Sequence, residues 1–266
     1  MTLRGRPVAL FGLVYGRESV PESVSLLGGS SDRQLWLPVT GAAVVLDDGD
    51  WVLFDTGLNP TIIRDPALRA SHYVLPRYDV RVDSDDPLLD EVGRAGLDWR
   101  RLALCVVSHL HCDHSGGLRH LVDGPPVVIQ EREHDYARAD AGLDQAYFRT
   151  DYELDGLTWH TVDGDVELAP GLRGLATYGH TPGHMSLAVD LPGDGTVVLA
   201  ADAADLRRNI DERIPCGSAT HPELRPSAEA SIARLHELDR TGGTQVWPGH
   251  DPEFWAGRRR PPEAYT

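Results

Sequence analysis

Cysteine is scarce in this 266-residue chain and odd in number. Cys105, Cys112 and Cys216 fall at irregular spacing with no CxxC pair, which excludes a disulfide framework and fits a reducing compartment. Long hydrophobic runs are missing too. No uncharged stretch approaches the ~18 apolar residues of a membrane span. The opening MTLRGRPVALFGLVYG is broken by Gly12 and Gly16 and lacks a convincing cleavage site, so it makes a poor signal peptide. The expected location is the cytoplasm. Positive charge is in deficit: 25 Lys+Arg stand against 41 Asp+Glu, a formal charge of −16. A protein that tracks phosphates needs the opposite balance, so neither nucleic acid nor a membrane is expected as a partner. Carboxylates that hold cations would account for part of the acidity. Solenoid-period repeats and low-complexity blocks are absent as well.

What is present is a series of short apolar strands, each followed by a polar loop. Val39–Leu46 and Trp51–Phe54 flank the turn Asp47-Asp48-Gly49-Asp50, and Asp55-Thr56-Gly57 ends the second strand. Residues 59–86, with Pro60, Pro66 and Pro76, read as a long irregular insert with room for a short helix, and such loops are usually functional or disordered. Leu88, Leu89, Val92 and Ala95 recur at helical spacing with Gly96 as a stop. Leu102–Val107 reads as a buried strand, Val127–Gln130 as another, and Glu131–Ala139 as a helix. Val166–Glu167 and Leu172–Tyr178 are further strands. Met185–Leu191 and Thr196–Ala201 form a hairpin, residues 226–239 a helix, and Gln245–Trp247 a last strand. These elements spread over the whole chain, which predicts a single domain over residues 1–266.

The chemistry concentrates just after the strand at 102–107. There His109-x-His111-x-Asp113-His114 places three imidazoles and a carboxylate within six positions. On an extended backbone alternate side chains share a face, so His109, His111 and Asp113 are expected to point together. His114 would turn aside as the chain enters Gly116-Gly117. Imidazole suits zinc, iron and related ions, and a carboxylate adds an oxygen donor. Three later loops can complete the set. His184 follows Thr181-Pro182-Gly183, Asp202 follows the apolar run Val197–Ala201, and His250 follows Pro248-Gly249. Each is weak alone, but together and in this order they are hard to assign to chance.

The combination of HxHxDH, TPGH, a strand-end Asp and GH resembles the metallo-beta-lactamase superfamily, and Asp55-Thr56-Gly57 is similar to that family's early strand-end motif. The likeness runs from about residue 39 to 253. It implies an α+β fold, a four-layer αβ/βα sandwich with metals at one edge of two packed sheets. By position it gives His109, His111 and His184 to a first metal and Asp113, His114 and His250 to a second, with Asp202 bridging. It implies two divalent ions, zinc foremost, with iron, manganese or cobalt also suited to such sites. VVIQEREHDYA, YGHTPGHMSL, LAADAADL, ERIPC and PGHD look most like the N-acyl-homoserine lactonases and lactonases of other rings. The implied activity is therefore quorum-quenching hydrolysis of a small-molecule lactone or ester by a monomer or homodimer. Asp113 would shuttle the proton, Asp202 would hold both metals, and Asp55 would orient a ligand imidazole.

One position departs from that pattern. Homoserine lactonases usually carry a tyrosine three residues beyond the bridging aspartate, where this chain has Asp205. An ionised carboxylate cannot donate a hydrogen bond. Tyr15, Tyr73, Tyr78 and Arg207 are candidate substitutes, or the substrate differs. The loops at 15–36 and 59–86 are expected to set acyl-chain preference. His180 reads as an ordinary loop histidine, and Cys112 as a packed thiol pointing away from the site. Rival readings are a thioesterase, phosphodiesterase or β-lactamase on the same centre. Another is an iron-dependent persulfide dioxygenase, against which the full second-metal set argues.

Overall fold

A computed structural model of the chain describes residues 2–139 and 143–266. Its first sheet contains β1 (Pro7–Pro21), β2 (Gln34–Leu46), β3 (Trp51–Phe54), β4 (Asp79–Arg81), β5 (Leu102–Val106), β6 (Val127–Gln130) and β7 (Trp159–Val162). The second contains β8 (Val166–Ala169), β9 (Leu172–Ala176), β10 (Met185–Leu191), β11 (Gly195–Leu199) and β12 (Thr244–Trp247). Spatial order is β4-β1-β2-β3-β5-β6-β7 in one sheet and β12-β11-β10-β9-β8 in the other. Strands β3, β5, β6 and β7 run parallel, as do β11 and β12, and the remaining pairs are antiparallel.

Period-2 alternation distributes the apolar side chains between layers. Val52, Phe54, Leu104 and Val106 pack inward against Leu187, Val189, Val197 and Leu199 of the facing sheet. Their neighbours Leu53 and Cys105 face outward into a second cluster with Leu88 and Val92 of the helix Pro87–Arg94. On the far side Ala188, Val198 and Val246 meet Ile232 and Leu235 of the helix Arg225–Asp239. Helix, sheet, sheet, helix: these are the four layers expected from the motif resemblance.

Two expectations need correction. The segment 59–86 holds more regular structure than one short helix, for it contains helices Pro60–Arg64 and Pro66–His72 and strand β4, while 73–78 and 82–86 stay irregular. Asn59 and Asp65 cap the two helices and a proline opens each, so the residues that looked like loop markers are helix-start signals. The N-terminal region, which gave no strand signal, forms the 15-residue β1. Its pairing with β2 shifts register between Val14 and Gly16, which scrambles the alternation a sequence scan relies on.

The reactive loops gather at one edge. Asp55 follows β3, His109–His114 follow β5, His180 and His184 lie between β9 and β10, Asp202 follows β11 and His250 follows β12. Gly116 and Gly117 let the β5 loop pass against the β3 loop. A Cβ on Gly116 would lie 2.2 Å from the Asn59 nitrogen, and one on Gly117 2.6 Å from the Thr56 carbonyl. The chain ends pair as well, Leu10 exchanging hydrogen bonds of 2.9 Å with Tyr265. Among the described residues no helix is long and apolar enough to cross a membrane.

Candidate metal centre

Two groups of buried side chains converge at this edge, and Asp202 belongs to both. His109, His111, His180 and Asp202 form one, and Asp113, His114, Asp202 and His250 the other. Asp202 is split between them by atom. Its Oδ2 lies 3.3 Å from His180 Nε2 and 3.9 Å from His109 Nε2, while Oδ1 lies 3.0 Å from His114 Nε2 and 2.9 Å from His250 Nε2. Asp113 Oδ2 is 3.1 Å from His114 Nε2. The Nε2 atoms of His109 and His114 are buried without a hydrogen-bond partner among the described residues. Buried polar atoms are normally satisfied. Unpaired imidazole nitrogens facing a shared carboxylate fit a pair of cations, and the donor set of nitrogen and carboxylate oxygen suits zinc or a neighbouring transition metal.

At His109, His114 and His250 the other nitrogen is occupied from behind, which fixes ring orientation as metal ligands require. Asp55 carries most of this burden. Its Oδ2 accepts from His114 Nδ1 and from the Ser108 hydroxyl, each at 2.8 Å, and its Oδ1 accepts from the Ser108 amide at 2.7 Å. It holds a left-handed φ of 58°, a strain the neighbouring bonds sustain. His250 Nδ1 donates to the Pro38 carbonyl at 2.9 Å, His109 Nδ1 sits 3.0 Å from the Ser108 hydroxyl, and Asp144 Oδ2 lies 3.3 Å from His111 Nε2.

The two histidines of Tyr-Gly-His-Thr-Pro-Gly-His exchange the roles expected of them. His180 enters the first group, its Nε2 3.0 Å from His111 Nδ1. His184 does not. Its Nε2 accepts the Asp202 backbone amide at 3.1 Å and its Nδ1 donates to the Thr177 carbonyl at 3.1 Å, leaving no lone pair for a metal. It steadies the peptide that carries Asp202. The turn at Gly179, φ 137°, aims His180 inward, and a Cβ there would strike Ala228 at 2.3 Å.

Asp113 also reaches its place by another route. The extended loop ends at His111, and Cys112–Ser115 form a single helical turn. Asp113 and His114 therefore lie together in the second group, not Asp113 beside His109. Cys112 packs with Ile62 and Phe148 yet also lines the cavity above the centre, so it does not point wholly away.

The electrostatics follow burial first and neighbours second. Burial holds His109 well below the usual imidazole range, His180 at about 4 and His184 at about 3. At His114 burial is outweighed by Asp113, Asp202 and Asp55, which raise it. For Asp202 burial opposes ionisation, but the surrounding histidines, His114 foremost, bring it well below the carboxylate range. Asp205 behaves differently. Burial, then the charge of Asp202, pushes its carboxyl up to about 7, and Oδ1 accepts from Cys216 Sγ at 3.2 Å.

Sequence reasoning missed Glu133. Fully buried, its Oε1 accepts from the Leu110 amide at 3.1 Å and the Tyr147 hydroxyl at 2.6 Å. Its Oε2 accepts from the Thr181 hydroxyl at 2.6 Å and the Gly183 amide at 3.2 Å. One carboxylate thus ties the His109–His114 loop to the His180–His184 loop. The only sequence signal was an acidic residue in the first turn after β6, which solvent-facing helices share.

A family model described as the metallo-beta-lactamase superfamily matches residues 36–250. The chain belongs to that superfamily. Among relatives, the N-acyl homoserine lactonase AttM of Rhizobium radiobacter is 31% identical over 250 residues, covering 90% of each chain. The N-acyl homoserine lactonase AiiA of Bacillus thuringiensis subsp. kurstaki is 29% identical over 221 residues, 83% of this chain and 84% of that one. Among solved structures, an N-acyl homoserine lactone hydrolase with the product N-hexanoyl-L-homoserine at its catalytic metal centre superposes with a TM-score of 0.85. It is 27% identical, covering 98% of this chain and 100% of the other. The metallo-beta-lactamase fold of these proteins is thus the fold of this chain, and its loops bring the histidines and aspartates to one place.

A cavity of about 330 Å³ opens above the centre. His111, Asp113, His180 and Asp202 form its floor, and Val20, Val24, Leu75 and Phe148 contribute apolar wall. A largely apolar wall over a small polar floor is the usual form of a small-molecule site. Both regions expected to set substrate preference, 15–36 and 59–86, supply lining residues.

Proposed function

We propose that this superfamily member is a metal-dependent lactonase that opens the ring of N-acyl-homoserine lactones or close relatives. The observation that carries the reading is the shared carboxylate: Asp202 sits between two buried ligand groups at the floor of an apolar cavity. His109, His111 and His180 with Asp202 would hold one ion, and Asp113, His114 and His250 with Asp202 the other. Two divalent cations, zinc foremost, lower the pKa of water and polarise a carbonyl when bound there. Asp113, on the cavity floor, carries the proton from attacking water to the alkoxide released as the ring opens. Asp55 holds His114 in the tautomer that presents Nε2. The cavity wall strips water from an acyl chain and fixes the ring over the floor.

The reading extends to a cytoplasmic protein, one domain over 1–266, acting as monomer or homodimer on a small molecule. Three buried, unlinked cysteines support the compartment, and the pairing of Leu10 with Tyr265 supports the single domain. The test is metal content per chain measured with a screen of an N-acyl lactone, a thioester, a phosphodiester and a β-lactam. Two metals per chain and a clear preference for the lactone are expected, both lost in Asp202→Ala. Full activity in metal-free protein, or preference for another bond, refutes the proposal.

A further inference from the structure

His180 is held at two points by residues 215–220, the segment that follows the helix Arg207–Glu212. Its carbonyl accepts from the Thr220 amide at 3.0 Å, and its Nδ1 lies 3.2 Å from the Ser218 hydroxyl oxygen. The opposite ring nitrogen, Nε2, faces Asp202 Oδ2 at 3.3 Å. Ser218 therefore stands directly behind a ring that points into the centre.

The segment carrying Ser218 is fixed by its backbone. The Ser218 amide donates to the Val24 carbonyl at 2.8 Å, and the Leu27 amide donates to the Pro215 carbonyl at 3.0 Å. Gly217 lets the segment pass close to the helix Glu22–Ser25, since a Cβ there would lie 1.8 Å from the Ser23 carbonyl oxygen. The hydroxyl is thus brought to His180 by contacts that do not depend on it. Ser108 serves His109 in a similar way, but there a carboxylate does the holding: the Ser108 hydroxyl donates to Asp55 Oδ2 at 2.8 Å.

A neutral imidazole that binds a cation through Nε2 carries its proton on Nδ1, and a serine oxygen can accept that proton's hydrogen bond. The bond selects the tautomer and keeps the ring from turning. We propose that Ser218 is a positioning residue that acts through His180 to retain the ion of the first group. This rests on the two-metal reading of the centre.

The test is competition for zinc between metal-stripped protein and a chromophoric chelator, in wild type, Ser218→Ala, His180→Ala and the double variant. In Ser218→Ala one ion should bind roughly tenfold more weakly, the effect expected when such a partner is removed, while the other binds as in wild type. In the His180→Ala background Ser218→Ala should change nothing further, because the ring it holds is gone. A general loosening of the fold would weaken both ions, or act equally in both backgrounds. Either of those results, or unchanged affinity in Ser218→Ala, overturns the inference while leaving the two-metal reading intact. Wild-type protein that binds fewer than two ions overturns that reading and the inference with it.

Discussion

Glu133→Gln should destabilise this protein far more than a like-sized exchange on its surface, and the four donors around the carboxylate set the amount. Each oxygen receives one hydroxyl, which can rotate, and one backbone amide, which cannot. Either placement of the glutamine amide turns its NH₂ toward an immovable N–H, of Leu110 or of Gly183. Leaving a buried donor unsatisfied costs about 1–3 kcal/mol, and the surviving bonds lose their charge assistance, so a total of about 2–4 kcal/mol is expected. For a chain of this size that corresponds to a fall of roughly 5–15 °C in Tm. Thermal unfolding followed by near-ultraviolet circular dichroism measures it, with and without added metal. The two loops that Glu133 joins carry His109, His111 and His180, so metal affinity should fall alongside. A Tm within about 2 °C of wild type would show that the clamp is not a significant source of stability, and the reasoning would fail.

Two further outcomes follow from the geometry. His180→Ala should lose the metal of the first group while His184→Ala retains close to two metals per chain, as elemental analysis reads directly; equal retention in both would reverse the exchange of roles. Asp151 is buried with Oδ2 unpaired among the described residues, and burial lifts its carboxyl to about 6 against Asn59, Arg119 and His72, which lower it. A raised acid binds its proton more tightly folded than unfolded, so its contribution to stability is lost as pH climbs from about 4 to 6. Asp151→Asn should therefore be the more stable protein at pH 7, by no more than about 3 kcal/mol, and should converge with wild type near pH 4. Denaturant titrations at the two pH values decide it.

How much of this was legible beforehand depends on the distance over which each feature is determined. His109, His111, Asp113 and His114 announced themselves because ligand type, spacing and a preceding buried strand are local properties. Asp202 and His250 were recoverable for the same reason, each terminating an apolar run. The interior strands β3, β5, β6 and β10 were readable because apolar runs bounded by turn residues survive without their partners. Strand β1 was not, since Arg17 and Glu18 sit within it and its shifted register breaks the alternation.

Sequence by itself thus determined the ligand chemistry, the order of the reactive loops and the family they belong to. Only the tertiary structure decided which histidine of Tyr-Gly-His-Thr-Pro-Gly-His faces the centre. That choice depends on the Asp202 amide, which occupies His184 from 18 positions away, and on the Gly179 turn against Ala228. It likewise decided that Glu133 binds two loops. Composition and spacing say which groups a chain owns. What each group's hydrogen bonds are spent on is settled when distant segments come into contact.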